Sequence, residues 1–303
     1  MFNYKNLIKS RNLRKKILHL FDFVPDSLMV RLQYFIKTGR KLNLKNPQRY
    51  TEKLQWYKLY YKDPLMKQCV DKYEVRKYVE SCGLGHLLNE CYGVFDKAED
   101  VDFDKLPNSF VLKDTLGGGG NDVIIVKDKS KLDIAATRKK MQDWVNYPYK
   151  CKHPGREWPY EGKKHRIIAE KYLTDSTQPN GIVDYKFFCF NGKIQYIILD
   201  VDRYLNHKRN IYTAEWSYIP VATDHDTYGN KIPVPDCLKG MKETAVCLAK
   251  DFPAVRVDLY QVNGKIYFGE LTFYPWSGYF EFSPDEFDFI SGQKFVLPER
   301  RII

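Results

Sequence analysis

Nowhere in its 303 residues does the chain approach the ~20 continuous apolar residues that a membrane span requires. The basic start, MFNYKNLIKSRNLRKK, is not followed by an unbroken apolar run and a small-residue cleavage site, so no secretory signal is expected. These absences predict a cytoplasmic protein. The seven cysteines (69, 82, 91, 151, 189, 237 and 247) include no CxxC pair. Their odd number and wide spacing argue for reduced, mostly buried thiols rather than a disulfide frame or a zinc site. The six histidines (19, 86, 153, 165, 207 and 225) show no metal-ligand spacing. There is no internal repeat, low-complexity segment or sugar-nucleotide motif. No nucleic-acid module is recognisable and the aromatics form no stacking platform, which argues against a nucleic-acid partner.

What the chain does hold is apolar and aromatic side chains, at 44% and 15% of residues, enough for a packed core. Its length suits one large domain or two smaller ones sharing a cleft. The net charge of +11 is concentrated. Residues 1–50 carry twelve Lys or Arg and two acids, a net of +10, so the remaining 253 residues are almost neutral. In that basic segment Leu13, Ile17, Leu20 or Phe21 and Val24 recur at helical spacing. Pro25-Asp26-Ser27 breaks the pattern and can cap a second helix with Leu28, Leu32, Phe35 and Ile36 on one side. Two readings stand side by side here. The pair packs on the main domain with its charges solvated, or it rests as a surface pair on anionic lipid or an anionic polymer.

Further along, helices are expected from Thr51 through Tyr60, over about 65–82, over about 131–146 and over about 236–250. From Leu87 short strands take over. Strands 184–190 and 193–201 turn at Asn191-Gly192, and strands 255–261 and 265–271 turn at Asn263-Gly264, a strong hairpin signal. The predicted class is α+β with antiparallel sheets.

Residues 111–127, VLKDTLGGGGNDVIIVK, place Gly117, Gly118, Gly119 and Gly120 between two strands. No Gly-Lys-Ser/Thr ending precedes a helix, so this is not a P-loop, and the second flank is a strand, so it is not a dinucleotide fingerprint. Such glycines let backbone N–H groups close over an anion and let the loop act as a lid. A flexible hairpin tip explains the run equally well. The C-terminal stretch VRVDLYQVNGKIYFGELTF adds weight to the first reading. Arg256 and Asp258 share a strand face, as do Glu270 and Thr272 on the partner strand. Two acids facing across a hairpin suit Mg²⁺, which usually accompanies phosphates, and an adjacent arginine can hold developing negative charge. An exposed cross-strand charge cluster is the alternative.

Lys113 before a glycine loop, Glu170-Lys171-Tyr172-Leu173 at a strand end, and R-x-D followed by E-x-T on a hairpin resemble the ATP-grasp superfamily. NPQRYTEKLQWYKLYYKDPL, VDKYEVRKYV, LPNSFVLK, DYKFFCFNGK and FGELTF are similar to its TupA-like branch, the teichuronopeptide-biosynthesis type, over about residues 46–280. The resemblance implies an ATP-grasp fold, two α+β subdomains gripping ATP, with a basic helical region at 1–60. A preceding segment at 61–105 and the ATP-grasp domain at 106–303 follow, the domain divided near residue 172. It implies that Lys72 and Lys113 hold the ATP phosphates under the loop Gly117–Gly120. Glu170, Lys171, Tyr172 and Leu173 would receive adenine, Asp184 the ribose, and Lys186 a further phosphate. Asp258, Glu270 and Thr272 would bind Mg²⁺, and Arg256 would stabilise the acyl-phosphate and the tetrahedral intermediate. Ser277 and Gly278 lie where related ligases seat the acceptor. The chain departs from the superfamily at Thr272, usually Asn, and at Thr115, where a loop histidine is common.

The resemblance thus implies a ligase joining an amine or amino acid to a carboxylate of uronic-acid type in cell-surface polysaccharide synthesis. The cluster Arg203, His207 and Arg209 could read an acidic sugar or amino-acid carboxylate by paired hydrogen bonds, or could be a solvated basic loop. The rival activities are a kinase built on the same ATP site and a non-catalytic, glycosyltransferase-associated glycan-binding adaptor. Contact with an anionic membrane at the inner face is the remaining partner expectation.

Overall fold

Turn chemistry and alternation build two antiparallel sheets. A computed structural model describes residues 10–120, 122–202, 206–229 and 232–302. In chain order its elements are α1 (Arg11–His19), α2 (Asp26–Thr38), α3 (Tyr50–Tyr60), α4 (Pro64–Cys69), α5 (Val75–Ser81), β1 (Cys91–Phe95), β2 (Phe110–Asp114) and β3 (Val123–Val126). Then come α6 (Ile134–Val145), β4 (Ile167–Lys171), β5 (Asp184–Phe190), β6 (Lys193–Val201), β7 (Lys208–Tyr212) and β8 (Tyr218–Ile219). The last are α7 (Leu238–Ala249), β9 (Ala254–Val262), β10 (Lys265–Thr272) and α8 (Glu286–Lys294). The smaller sheet runs β1-β4-β2-β3, and the larger runs β10-β9-β5-β6-β7-β8.

The Asn191-Gly192 and Asn263-Gly264 turns carry positive φ at both residues, the backbone that two-residue hairpins require. Strands β5 and β9 are buried on both faces. Tyr185, Phe187, Cys189, Val255, Val257 and Leu259 join the core that α7 covers through Met241, Ala245 and Leu248. The opposite face alternates Asp184, Lys186, Arg256 and Asp258, all buried. A second cluster, with Phe110, Leu112, Met141, Trp144, Ile167 and Ala169, fills the space between the smaller sheet and α6.

The structure refines several sequence expectations. The single helix over 65–82 is two, because the Asp71 carboxylate accepts the N–H groups of Tyr73 and Glu74 and turns the chain there. The stretch after residue 202 contains β7 and β8. The cysteines are all unpaired but only Cys69 and Cys189 are fully buried. On α2, the arc Leu28, Leu32, Phe35 and Ile36 is exposed, and Met29, Val30, Tyr34 and Thr38 face inward instead. Pro25 occupies the cap position with no side-chain cap bond; Asp26 turns to Lys152, at 2.6 Å.

Candidate functional site

The charged face of the larger sheet is a ladder set by strand register. Glu270 is directly opposite Asp258 across β10–β9, and Asp258 is opposite Lys186 across β9–β5. Asp184 is opposite Asp200 across β5–β6, and Asp200 is opposite Arg209 across β6–β7. Burial without pairing would be prohibitive for so many charges, and each finds a counter-ion. Arg256 grips Asp258 with two bonds, Nε to Oδ1 at 2.6 Å and Nη2 to Oδ2 at 2.7 Å, and reaches Glu270 Oε1 at 3.0 Å. The Thr272 hydroxyl donates to the same Glu270 oxygen at 3.3 Å. Lys186 bonds Asp184 and lies 3.3 Å from Asp200 and 3.4 Å from Asp258.

The electrostatics follow from this ladder. Burial pushes the Asp258 carboxyl up to about 6 against the pull of Arg256 and Lys186. Burial also raises Asp200, but Lys186 and Arg209 outweigh it and hold that carboxyl below its ordinary range. Lys186 is held above its usual value because Asp184 and Asp258 overcome its burial. For Glu270 the opposing charges of Lys72 and Arg256 win over burial, and its carboxyl sits low.

The smaller sheet contributes the other wall. Lys113 Nζ donates to Glu170 Oε2 at 2.7 Å, and Arg76 lies 3.7 Å from the other oxygen of that carboxylate. The N–H and C=O of Lys171 are taken by the Glu90 carbonyl, at 3.0 Å, and the Asn89 side chain, at 2.8 Å. Any nucleobase contact by this backbone therefore falls to Tyr172 and Leu173. Lys72 donates its backbone N–H to the Thr115 carbonyl at 2.9 Å and its ammonium to the Gly117 carbonyl. A Cβ on Gly117 would lie 2.5 Å from Asp122 Cβ and 3.0 Å from Asp114 Cβ. Gly119 and Gly120 have positive φ, and nothing crowds Gly118 or Gly120.

The loop after β10 is strained. Trp276 and Ser277 adopt φ of 49° and 57°, a left-handed backbone that costs non-glycine residues about 1–3 kcal/mol each. Helix α3 over-determines it. Gln55 donates to the Ser277 and Gly278 carbonyls at 3.0 and 2.9 Å, and buried Lys58 donates to the Ser277 carbonyl at 2.9 Å. The Ser277 hydroxyl donates to Glu157. Burial pushes Lys58 down to about 8 and pushes Glu157 up. The loop lays the Trp276 ring against two guanidiniums, 4.8 Å from Arg209 and 5.6 Å from Arg256.

The basic-cluster reading is corrected in part. Arg203 lies outside the described residues. Arg209 is not a solvated loop residue but a buried member of β7, bonded to Asp200 at 2.6 Å, to Thr223 at 2.9 Å and to Asp224. His207 lies 3.0 Å from Asp200. Sequence reasoning missed Asp200, Arg76, Trp276 and the Lys58–Glu157 pair. For Asp200 a signal existed: it continues the alternation of Tyr196 and Ile198 along β6 and faces Asp184.

The donor set suits a magnesium–triphosphate group. Two carboxylates stand in register, Lys72 and Lys113 flank the glycine loop, and Lys186 lies 3.4 Å from Asp258. The loop's backbone is bare where a Cβ would intrude. A metal would take Asp258 and Glu270 as ligands once Arg256 yields their oxygens.

A model of the TupA-like ATP-grasp family matches residues 52–296. The fold is also similar to D-alanine–D-alanine ligase from Bacillus anthracis, at 21% identity and TM-score 0.43, over 68% of this chain and 57% of that one. It is similar to the Helicobacter pylori D-alanine–D-alanine ligase, at 16% identity and TM-score 0.42, over 75% and 61%. The ATP-grasp ligase PsnB, complexed with a precursor variant, Mg and ADP, matches at 14% identity and TM-score 0.42, over 70% and 53%. The chain thus spans about three fifths or less of these three proteins by length. No curated protein matches the chain.

Proposed function

We propose that this chain, which belongs to the TupA-like ATP-grasp family and is an ATP-grasp enzyme, is an ATP-dependent carboxylate–amine ligase. It joins an amino acid or amine to a carboxylate of uronic-acid type in the synthesis of a cell-surface polysaccharide. The observation that carries this reading is the register of Asp258 with Glu270 beneath Arg256. A carboxylate is a poor electrophile because its leaving group would be oxide. Transfer of the γ-phosphoryl group of ATP to a carboxylate oxygen creates an acyl-phosphate, whose leaving group is phosphate, and releases ADP. Mg²⁺, held by Asp258 and Glu270, would neutralise charge on the phosphate oxygens.

This chain's own side chains do the remainder. Lys72 and Lys113 offer positive charge on either side of the glycine loop. Arg256, freed from Asp258 and Glu270 when those carboxylates take the metal, can turn its guanidinium to the oxyanion when the amine attacks. The amine must arrive unprotonated, and phosphate leaves as the amide forms. The held backbone of Trp276 and Ser277 positions the acceptor side without moving parts.

The test is ADP release by the purified protein against a panel of amino acids and uronic-acid acceptors, with mass spectrometry of the products. The reading expects ADP and phosphate only when both substrates are present, and a product heavier by amide formation. A phosphorylated single substrate would make the protein a kinase, and no turnover with any pair would leave an adaptor.

A further inference from the structure

We propose that the outward face of α1 and α2 docks on an anionic lipid bilayer. The proposal goes beyond the ligase reading and does not depend on it. Eighteen large apolar side chains are exposed among the described residues, and eight of them fall between Leu13 and Ile36. They are Leu13, Leu20, Phe21 and Phe23 on α1 and its turn, and Leu28, Leu32, Phe35 and Ile36 on α2. Phe23 at the tip is 83% exposed and Leu20 72%, so neither is a core residue incompletely covered.

At about 100° per residue, positions 28, 32, 35 and 36 span an arc of roughly 100° on α2. The opposite side is already occupied. Val30 and Tyr34 pack with Leu42, Leu44 and Trp56, and the Tyr34 hydroxyl bonds Thr51 at 2.9 Å. Gln33 donates to the Pro154 carbonyl at 2.8 Å and accepts from Tyr279 at 2.9 Å. The helix is therefore anchored by its inner arc, and the outer arc is not needed to hold it.

Charge is sorted the same way. The only two acids of the first fifty residues, Asp22 and Asp26, are half-buried and tied to the main domain. Asp22 accepts the Lys152 N–H at 3.2 Å, and Asp26 pairs with Lys152 at 2.6 Å and Arg156 at 3.5 Å. Lys16, Arg31, Lys41 and Lys45 are exposed on the same segment. Exposed apolar side chains accompanied by bases, with the acids already paired, are the pattern of a helix lying in the interface of an anionic membrane. A soluble polyanion would use the bases but leave eight apolar side chains in water. A two-fold pairing of the face with itself would bring like charges together.

The experiment is co-sedimentation of the full-length protein with phosphatidylglycerol–phosphatidylcholine vesicles and with phosphatidylcholine vesicles alone, at low and high salt. The variants are Phe23→Ser/Leu32→Ser/Phe35→Ser, the single Phe23→Ser, and Lys16→Glu/Lys41→Glu, each checked by thermal melting. Docking predicts sedimentation with anionic vesicles only and release by salt. It also predicts at least a roughly tenfold loss in the triple variant, with a smaller loss in the single one if the triple variant melts early. Equal sedimentation of wild type and both apolar variants overturns the proposal, as does absence of sedimentation at low salt. It is equally overturned by binding to a soluble polyuronate that the apolar variants retain, or by a concentration-dependent dimer in ultracentrifugation that they abolish.

Discussion

Replacing Lys186 with Met tests the charge ladder at its most committed point. The ammonium is buried, bonded to Asp184 and within 3.3 and 3.4 Å of Asp200 and Asp258. Each of the two longer pairs has a gross attraction of about 5 kcal/mol at an effective dielectric of ~20. Much of that offsets the desolvation of the lysine itself, so removing one partner of such a cluster costs about 3–5 kcal/mol net. A second bound comes from protons. The variant can relieve its acids by keeping one carboxyl neutral. For Asp200, which burial raises but Lys186 holds below its ordinary 3.8, one retained proton costs about 4.4 kcal/mol at pH 7 and about 1.6 kcal/mol at pH 5. The sign follows. A carboxyl raised by folding is penalised only where the unfolded chain ionises, so the loss of stability is greatest at neutral pH and shrinks as pH falls toward 4. The methionine stem keeps the packing of the lysine chain. Urea unfolding of both proteins at pH 7, 6 and 5 checks this. The expected gap is about 3–5 kcal/mol at pH 7, narrowing by up to about 1.4 kcal/mol per pH unit. A gap below about 1 kcal/mol at pH 7, or one that widens on acidification, would refute the reasoning that the ladder is held together by this ammonium.

Glu270→Gln should keep the melting temperature within a few degrees, because that carboxylate is partly exposed, while ADP formation falls at least about a hundredfold; comparable turnover would remove it from the metal site. Since the Asp258 carboxyl is raised to about 6, Mg²⁺ must displace its proton below that pH. Metal affinity measured by calorimetry with ATP present should then fall about tenfold per pH unit below 6 and be flat above 7. Gly117→Ala forces the loop away from Asp114 and Asp122, so the KM for ATP should rise about tenfold or more, with kcat changed less; an unchanged KM means the loop does not close over the nucleotide.

The turn of hairpin β9–β10 was legible from Asn263-Gly264 and its faces from the alternation, but the register that sets Glu270 opposite Asp258 was not, because it needs a bulge between Phe268 and Glu270 that spacing does not announce. The glycine loop was legible in the same way as that turn. Helix α2 shows the limit of periodicity. It has two apolar arcs, 28-32-35-36 and 29-30-34, and spacing alone does not say which one meets the domain. The choice is made by Trp56, Leu42 and Leu44, whose positions depend on the whole fold. Strand β7 was hidden because Lys208-Arg209-Asn210 reads as polar, and only the distant Asp200 makes burial of Arg209 tolerable. Lys58 was not singled out, for the same cause, since the Ser277 carbonyl that holds it lies 219 residues away.

Lys72 is bound to the glycine loop and its entry twice, once through its amide to Thr115 and once through its ammonium to Gly117, while its neighbours Val70 and Val75 sit in the main core. The loop therefore cannot lift without breaking both bonds to one residue or drawing a turn out of the core. Lifting becomes a discrete local opening with its own free energy, smaller than that of global unfolding. The hydrogen on the Lys72 amide can exchange with solvent only during such openings. Its exchange rate in deuterated water is a clock for the glycine loop, and any slowing on addition of ATP would give the share of binding energy used to hold that loop in place.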